Sequence, residues 1–124
     1  MVLRNGVWVV PVNINNRLTL DFVVDSGAAD VQIPDDVFRT LIRTSTISRN
    51  DFIGTGQYVL ADGTNVPSDR YVLRKMQVGD HIAEDVVASV GSAQSEPLLG
   101  QSFLSKFGSW QLDNKKNVLI LTDK

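Results

Sequence analysis

The sequence of 124 residues contains no cysteine and a single histidine, His81. Thiolates and imidazoles are the usual protein ligands of zinc and iron–sulfur centres. The composition therefore excludes cysteine-based metal centres, disulfides and cysteine nucleophiles, and it leaves too few ligands for a histidine-rich site. We expect neither a metal nor any other cofactor.

Long apolar runs and an excess of positive charge are also missing. No stretch approaches the roughly 18 apolar residues of a membrane span, and residues 1–16 lack the charged-then-apolar plan of a signal peptide. The net charge is −2, which gives no electrostatic match to a nucleic-acid backbone. We expect no nucleic-acid partner and no membrane contact from this segment. The chain should be soluble as given and cytoplasmic if complete, but a domain of a longer membrane-anchored or polyprotein chain stays open.

The residue types that are present favour β-structure. The acidic residues are twelve Asp and only two Glu, and Asp prefers turns and caps to helix interiors. The length is that of one domain, which we expect to span residues 1–124. Strand-like segments bounded by turn residues recur along the chain; they are residues 7–14, 17–24, 31–33, 52–61, 64–73, 81–90, 110–113 and 118–121.

Two segments have helical patterns. Pro34-Asp35-Asp36 is typical of a helix start with Asp35 as the capping residue, and Val37 and Leu41 follow on one face. Residues 101–107 give a second short pattern. Together with the strands, these segments predict an all-β chain, a small closed barrel or sandwich with one or two short helices.

The segment with chemical potential is the apolar run at residues 22–24 that ends in Asp25-Ser26-Gly27. Gly27 allows a sharp turn, and the Ser26 hydroxyl can hold the backbone or the carboxylate. Two carboxylates about 3 Å apart cannot both ionise, so they share one proton and supply an acid and a base in one site. Such a pair can activate a water against an amide carbonyl. The same tripeptide is also common in ordinary turns, so by itself it does not distinguish a catalytic loop from a structural turn.

Two later features complete a pattern. Asp62-Gly63 is the strongest kind of short hairpin signal, and Leu98-Leu99-Gly100 precedes the second helix. The order of these features, from about residue 7 to residue 121, resembles the retropepsin-like aspartic proteases. Val24-Asp25-Ser26-Gly27-Ala28 matches the hydrophobic-Asp-Ser/Thr-Gly-Ala signature of that family, and residues 98–104 look like its C-terminal signature in bacterial and other cellular members.

The resemblance implies a β-barrel protomer of an aspartic endopeptidase. The sequence has one Asp-Ser/Thr-Gly tripeptide, so a two-carboxylate site requires a second copy of the chain. The implied assembly is a homodimer that sets Asp25 against Asp25 of the partner subunit. Asp25, Ser26 and Gly27 form the implied catalytic loop, with Ser26 bonding across the dimer, and the other partner is a peptide or protein substrate.

By the same resemblance, the hairpin at Asp62-Gly63 is a flap that covers the substrate, with a plain surface hairpin as the alternative. The residues that we expect to contact substrate are Ala28, Asp30, Tyr58, Val59, Ala61, Asp62, Gly63, Thr64, Leu99 and Gly100. For Asp30, capping of the loop is the alternative role. Residues 118–121 are expected either in an intersubunit sheet or in an ordinary core strand.

Two positions depart from the retroviral members. Ala29 and Gln101 stand where those members often have an acid and an Arg, so one ion pair is absent as a whole. A non-catalytic peptide-binding or dimerisation module on the same fold is the second functional hypothesis. The sequence contains no Gly-x-Ser-x-Gly elbow, which argues against a serine hydrolase. Arg70, Arg74 and Lys75 are expected on a solvated strand face.

Overall fold

The computed structural model of the chain describes residues 1–59, 62–93 and 95–124, and for Tyr58 it describes the backbone alone. These ranges form ten strands, two α-helices and one 3₁₀ turn. The strands are β1 (Val2–Arg4), β2 (Val7–Ile14), β3 (Leu18–Val24), β4 (Val31–Pro34), β5 (Phe52–Val59), β6 (Asn65–Val78), β7 (His81–Gly91), β8 (Leu98–Leu99), β9 (Ser109–Asp113) and β10 (Val118–Thr122). The helices are α1 (Asp35–Arg43) and α2 (Gln101–Leu104), and the 3₁₀ turn is Arg49–Asp51. The all-β prediction with short helices is confirmed.

Most strands belong to one sheet whose ends come back together. Its order is β1-β2-β3-β8-β4-β7-β6-β5, and a further pairing joins β2 to β6. That antiparallel contact sets Asn13 opposite Gln77 and Ile14 opposite Met76. The strands β2, β3, β8, β4, β7 and β6 therefore follow one another in a ring. Strands β9 and β10 form a separate antiparallel pair.

The core follows from the two-residue period of the ring strands. In β2, Val10, Val12 and Ile14 are buried while Pro11 between them is exposed, because successive side chains point to opposite faces of a sheet. The helices add their apolar faces, with Phe38 and Leu41 from α1 and with Phe103 and Leu104 from α2. The candidate site is built on the ends of strands that pack against this core.

A short parallel pairing brings the two signature segments together. Strand β3 runs parallel to β8, with Val23 opposite Leu98 and Val24 opposite Leu99. The backbone N–H of Asp25 then donates to the Leu99 carbonyl at 3.1 Å. Because parallel strands end at the same edge of a sheet, segments more than 70 residues apart in the chain meet at one place.

Local details correct three expectations. Helix α1 begins at Asp35 with Pro34 as its N-cap and no side-chain cap bond, so Asp35 does not cap the helix. Asp35 instead pairs with Arg39 one turn later, at 3.0 Å. Helix α2 ends at Leu104 rather than at residue 107. Strand β1 was not predicted, although Asn5-Gly6 before β2 carries the positive φ angles, 51° and 81°, of a tight hairpin.

Candidate active site

The loop after β3 holds the Asp25 carboxylate by its own backbone. The Gly27 N–H donates to Asp25 Oδ1 at 2.9 Å, and the Ala28 N–H donates to the Asp25 carbonyl at 3.2 Å. Asp25 is half-buried, whereas Ser26 and Gly27 are exposed. Within the described residues, Asp25 Oδ2 has no hydrogen-bond partner, so one carboxylate oxygen is available to a proton, a water or a second carboxylate.

The first residues of α2 hold this loop by hydrogen bonds to its carbonyl groups. The Gln101 side chain donates from Nε2 to the Ser26 carbonyl at 2.9 Å, and its backbone N–H donates to the Ala28 carbonyl at 2.8 Å. The Ser102 N–H donates to the Ala29 carbonyl at 2.9 Å. Gln101 was noted in the sequence only as a departure from retroviral members. In the structure its uncharged side chain satisfies one loop carbonyl, that of Ser26.

Gly100 permits this close approach. A Cβ at position 100 would overlap the Asp30 carbonyl oxygen and would lie 2.8 Å from that of Ala28. Both neighbours are backbone atoms, which cannot move aside as the end of a flexible side chain can. Leu99 is fully buried below the same loop. The structure therefore places Leu99 and Gly100 under the loop as supports, and neither lines the cleft beside it.

A cleft of about 470 Å³ opens beside the loop. It runs from the loop and β4 to the first arm of the β5–β6 hairpin. Asp25 and Ser26 are not among its lining residues, but Gly27, whose N–H binds Asp25 Oδ1, is. Its lining residues are Gly27, Ala28, Ala29, Asp30, Gln32, Gly56, Gln57, Val59, Ser68, Arg70 and Ser89. Of the residues predicted to contact substrate, Ala28, Asp30 and Val59 are therefore brought together here.

A charged cluster occupies one wall of the cleft. Arg70 donates to Asp30 through Nε at 3.1 Å and through Nη2 at 3.4 Å, and the Ser89 hydroxyl donates to Asp30 Oδ2 at 2.7 Å. The expectation that Arg70 lies on a solvated strand face is therefore wrong. No sequence signal joins residues 30 and 70, because their contact depends on how β4, β6 and β7 pair.

A local carboxylate binds the backbone where the chain enters β6 from the hairpin turn. Asp62 Oδ1 accepts the Thr64 N–H at 2.9 Å, and Gly63 has a φ of +87°, a region that favours glycine. The Thr64 side chain, followed by its backbone N–H, lowers the pKa of Asp62. Asp62, Gly63 and Thr64 are exposed and do not line the cleft. Ala61 lies outside the described residues, and the side chain of Tyr58 is not described.

The described ranges also bear on metals and membranes. They hold no group of three or more His, Asp or Glu side chains placed to bind a metal ion. No helix in the same part of the chain combines the length and the apolar character that crossing a bilayer requires.

Comparison with known proteins places the chain in a family. Residues 10–106 match the family described as "gag-polyprotein putative aspartyl protease", whereas a search of curated proteins finds no significant match. Among solved structures, the crystal structure of a retropepsin-like aspartic protease from Rickettsia conorii is similar at a TM-score of 0.66 and 24% identity, covering 95% of this chain and 92% of that one. The likeness confirms the predicted retropepsin type of fold. The chain belongs to the retropepsin-like family of aspartyl proteases.

Proposed function

We propose that residues 1–124 form a single retropepsin-like domain, one protomer of a homodimeric aspartic endopeptidase, and that Asp25 is its catalytic carboxylate. The observation that carries the proposal is the position of this carboxylate and its hydrogen bonds. Asp25 directly follows the end of β3, with Oδ1 bound by the N–H of Gly27, which lines the cleft, and with Oδ2 free of any partner among the described residues. Family membership supports the same reaction class.

A second copy of the chain completes the proposed site. One protomer supplies one such carboxylate, and a two-fold dimer is the simplest way to obtain two. The exposure of Ser26 and Gly27 supports this arrangement, since a loop that is finished by a partner must reach the surface. In the dimer, Asp25 faces Asp25 of the partner subunit, and Ser26 joins the two loops.

The proposed chemistry needs no covalent intermediate. The carboxylate pair shares one proton. The ionised member takes a proton from a bound water, whose oxygen attacks the carbonyl carbon of the scissile peptide bond. The protonated member donates its proton to the carbonyl oxygen. The tetrahedral gem-diol then collapses. The carboxyl group that took the proton of the water donates it to the amine nitrogen as the C–N bond breaks, and the other carboxylate takes the proton of one gem-diol hydroxyl, so the carboxyl product leaves and the pair again shares one proton.

Two strand edges offer the surface for dimerisation. On β1, Val2 and Leu3 are exposed, and on β10, Val118 and Ile120 are exposed while Leu121 is buried. Strand β10 pairs only with β9 in the described part of the chain, so its other edge can receive a strand. Exposed apolar side chains along unpaired edges are typical of an association surface. These features support the intersubunit sheet rather than an ordinary core strand.

The test compares Asp25→Asn with Asp21→Asn, which changes an exposed aspartate on β3, the strand that leads to Asp25. On a mixed peptide library, we expect Asp25→Asn to lose at least roughly a thousandfold in cleavage rate, because an amide cannot act as the base. We expect Asp21→Asn to cleave as wild type does. Cleavage at the wild-type rate by a folded Asp25→Asn protein would contradict the proposal. A wild-type protein that binds peptides and never cleaves them would instead identify a peptide-binding module.

A further inference from the structure

We propose that Arg70 is a specificity-determining residue of the cleft, which selects peptides with a carboxylate or carboxamide side chain at the position that faces it. This inference rests on the proposed function, because it assigns a substrate class to the same site.

The first argument is the hydrogen-bond balance of the charged wall. Asp30 Oδ2 already accepts from Arg70 Nε and from the Ser89 hydroxyl, and Oδ1 accepts from Arg70 Nη2. A guanidinium carries five N–H donors, and only these two nitrogens of Arg70 are used among the described residues. The acceptor of the pair is therefore largely occupied, whereas the donor has N–H groups to spare.

The second argument is that Arg70 reaches the cleft in a fixed position. Its side chain is 39% exposed, so a ligand can touch it. A Cβ at Gly56, on the opposite arm of the hairpin, would lie 2.8 Å from the Arg70 Cδ. Gly56 therefore makes room for the arginine stem, and Asp30 holds its head. A donor that is already oriented loses little side-chain entropy when it binds an acceptor.

The third argument is the polarity of the neighbouring walls. Gln32, Gln57 and Ser68 also line the cleft, and Val59 is the single large aliphatic side chain among the lining residues of the described chain. An aliphatic substrate side chain would remove water from the spare Arg70 donors and leave them unpaired, which is costly. A lysine would meet a like charge. An Asp, Glu, Asn or Gln side chain supplies the missing acceptor.

The dimer makes the expectation more specific. Two-fold symmetry gives one such wall in each protomer, so the preference should occur on both sides of the scissile bond, at positions about equally distant from it.

The experiment profiles cleavage of a proteome-derived peptide library by wild type, Arg70→Met and Arg74→Met. Arg74 is the matched control because it lies on the same strand and pairs with Asp51 at 2.9 Å, away from the cleft. Wild type should enrich Asp, Glu, Asn or Gln at the paired positions by about tenfold over Leu. Arg74→Met should keep this enrichment.

Arg70→Met should lose the enrichment and, because Asp30 is then unpaired, should turn it towards Lys and Arg. The double variant Arg70→Met/Asp30→Asn should prefer neither charge. This inversion separates recognition from a loss of stability, which would lower cleavage at all sites alike. A profile that Arg70→Met leaves unchanged, or a wild-type profile without acceptor preference, would overturn the inference.

A binding measurement separates this inference from the proposed function. Fluorescence anisotropy with Asp25→Asn and with Asp25→Asn/Arg70→Met compares labelled members of a peptide set that differ by Glu, Gln, Leu or Lys at one position. If wild type cleaves nothing while acceptor peptides bind Asp25→Asn more tightly through Arg70, the proposed function fails and the specificity stands. If wild type cleaves peptides and Arg70 changes neither binding nor profile, the specificity fails alone.

Discussion

At the scale of single residues, the site depends on two short-range fits. Gly27 lies so near the carboxylate that a Cβ there would be 3.3 Å from Asp25 Oδ1, and Gly100 lets the second signature segment pass under the loop carbonyls. The two glycines differ in what surrounds them. A side-chain oxygen can shift by a few tenths of an ångström, whereas two backbone carbonyls held by a core-anchored loop cannot.

We expect Gly100→Ala to lower the free energy of unfolding by about 1–3 kcal/mol, because the new methyl group overpacks against the carbonyls of Ala28 and Asp30. Denaturant unfolding checks this value. Gly27→Ala is the comparison: its unfolding midpoint should stay close to wild type, while its cleavage rate falls because the carboxylate is displaced. Equal stability of Gly100→Ala and wild type would show that the loop can move away.

The sequence pattern alone leads to the interpretation of Asp25, Ser26 and Gly27 as a catalytic loop. The roles of these residues stay predictions. The pattern could not give the Asp30–Arg70 pair. The two residues are 40 positions apart, and their contact needs the register of three strands. The sequence does not indicate that register. Arg70, Arg74 and Lys75 lie close together in the chain, and nothing in their pattern distinguishes Arg70 from the other two. Arg70 lines the cleft, whereas the side chain of Arg74 is 73% exposed.

At the scale of elements, the strands with strong apolar patterns were predicted nearly as they occur. Strand β2 has the predicted bounds, and β3 starts one residue later than predicted. Strand β6 was predicted to end near residue 73 but continues to Val78, since its charged residues find partners: Arg74 binds Asp51 and Lys75 binds Asn16. Strand β1 was missed because three exposed residues carry almost no periodic signal.

The turn of the β5–β6 hairpin makes a prediction about pH. The pKa of Asp62 is lowered because the Thr64 side chain and, after it, the Thr64 N–H favour the ionised form. A lowered pKa in the folded state means that the ionised carboxylate supports the turn above the pKa of the unfolded chain. This support is lost as the pH falls through the folded pKa.

Carbon NMR of the Asp62 carboxyl group measures its titration directly. We expect a midpoint below that of an aspartate in an unstructured peptide. Thr64→Val removes the hydroxyl and keeps the N–H, so the midpoint should rise part of the way back. Thr64→Ser retains both donors and should titrate as wild type does. A wild-type midpoint at or above the peptide value would contradict the described turn.

At the scale of the whole molecule, the proposed activity depends on association. Half a site per chain means that specific activity should fall when the protein is diluted below the dissociation constant of the dimer. The sheet order supports this dependence, because β1 is a sheet edge and β10 pairs on one side within the described chain. Both strands expose apolar side chains, which an isolated protomer leaves in contact with water.

Ile120→Asp tests this association surface, with Ile82→Asp as the matched control. The two isoleucines are similarly exposed, at 40% and 46%, but Ile82 lies on β7, which pairs with β4 and β6 and is not an edge strand. A carboxylate placed in the proposed intersubunit sheet would have to be desolvated, so we expect Ile120→Asp to raise the dissociation constant of the proposed dimer by roughly thirtyfold or more. Sedimentation velocity measures the change.

Cleavage by Ile120→Asp should recover at high protein concentration, because its Asp25 loop is intact, whereas Ile82→Asp should associate and cleave as wild type does. Full activity of Ile120→Asp at concentrations where it is monomeric would show that one chain suffices, and the shared carboxylate pair would then be excluded.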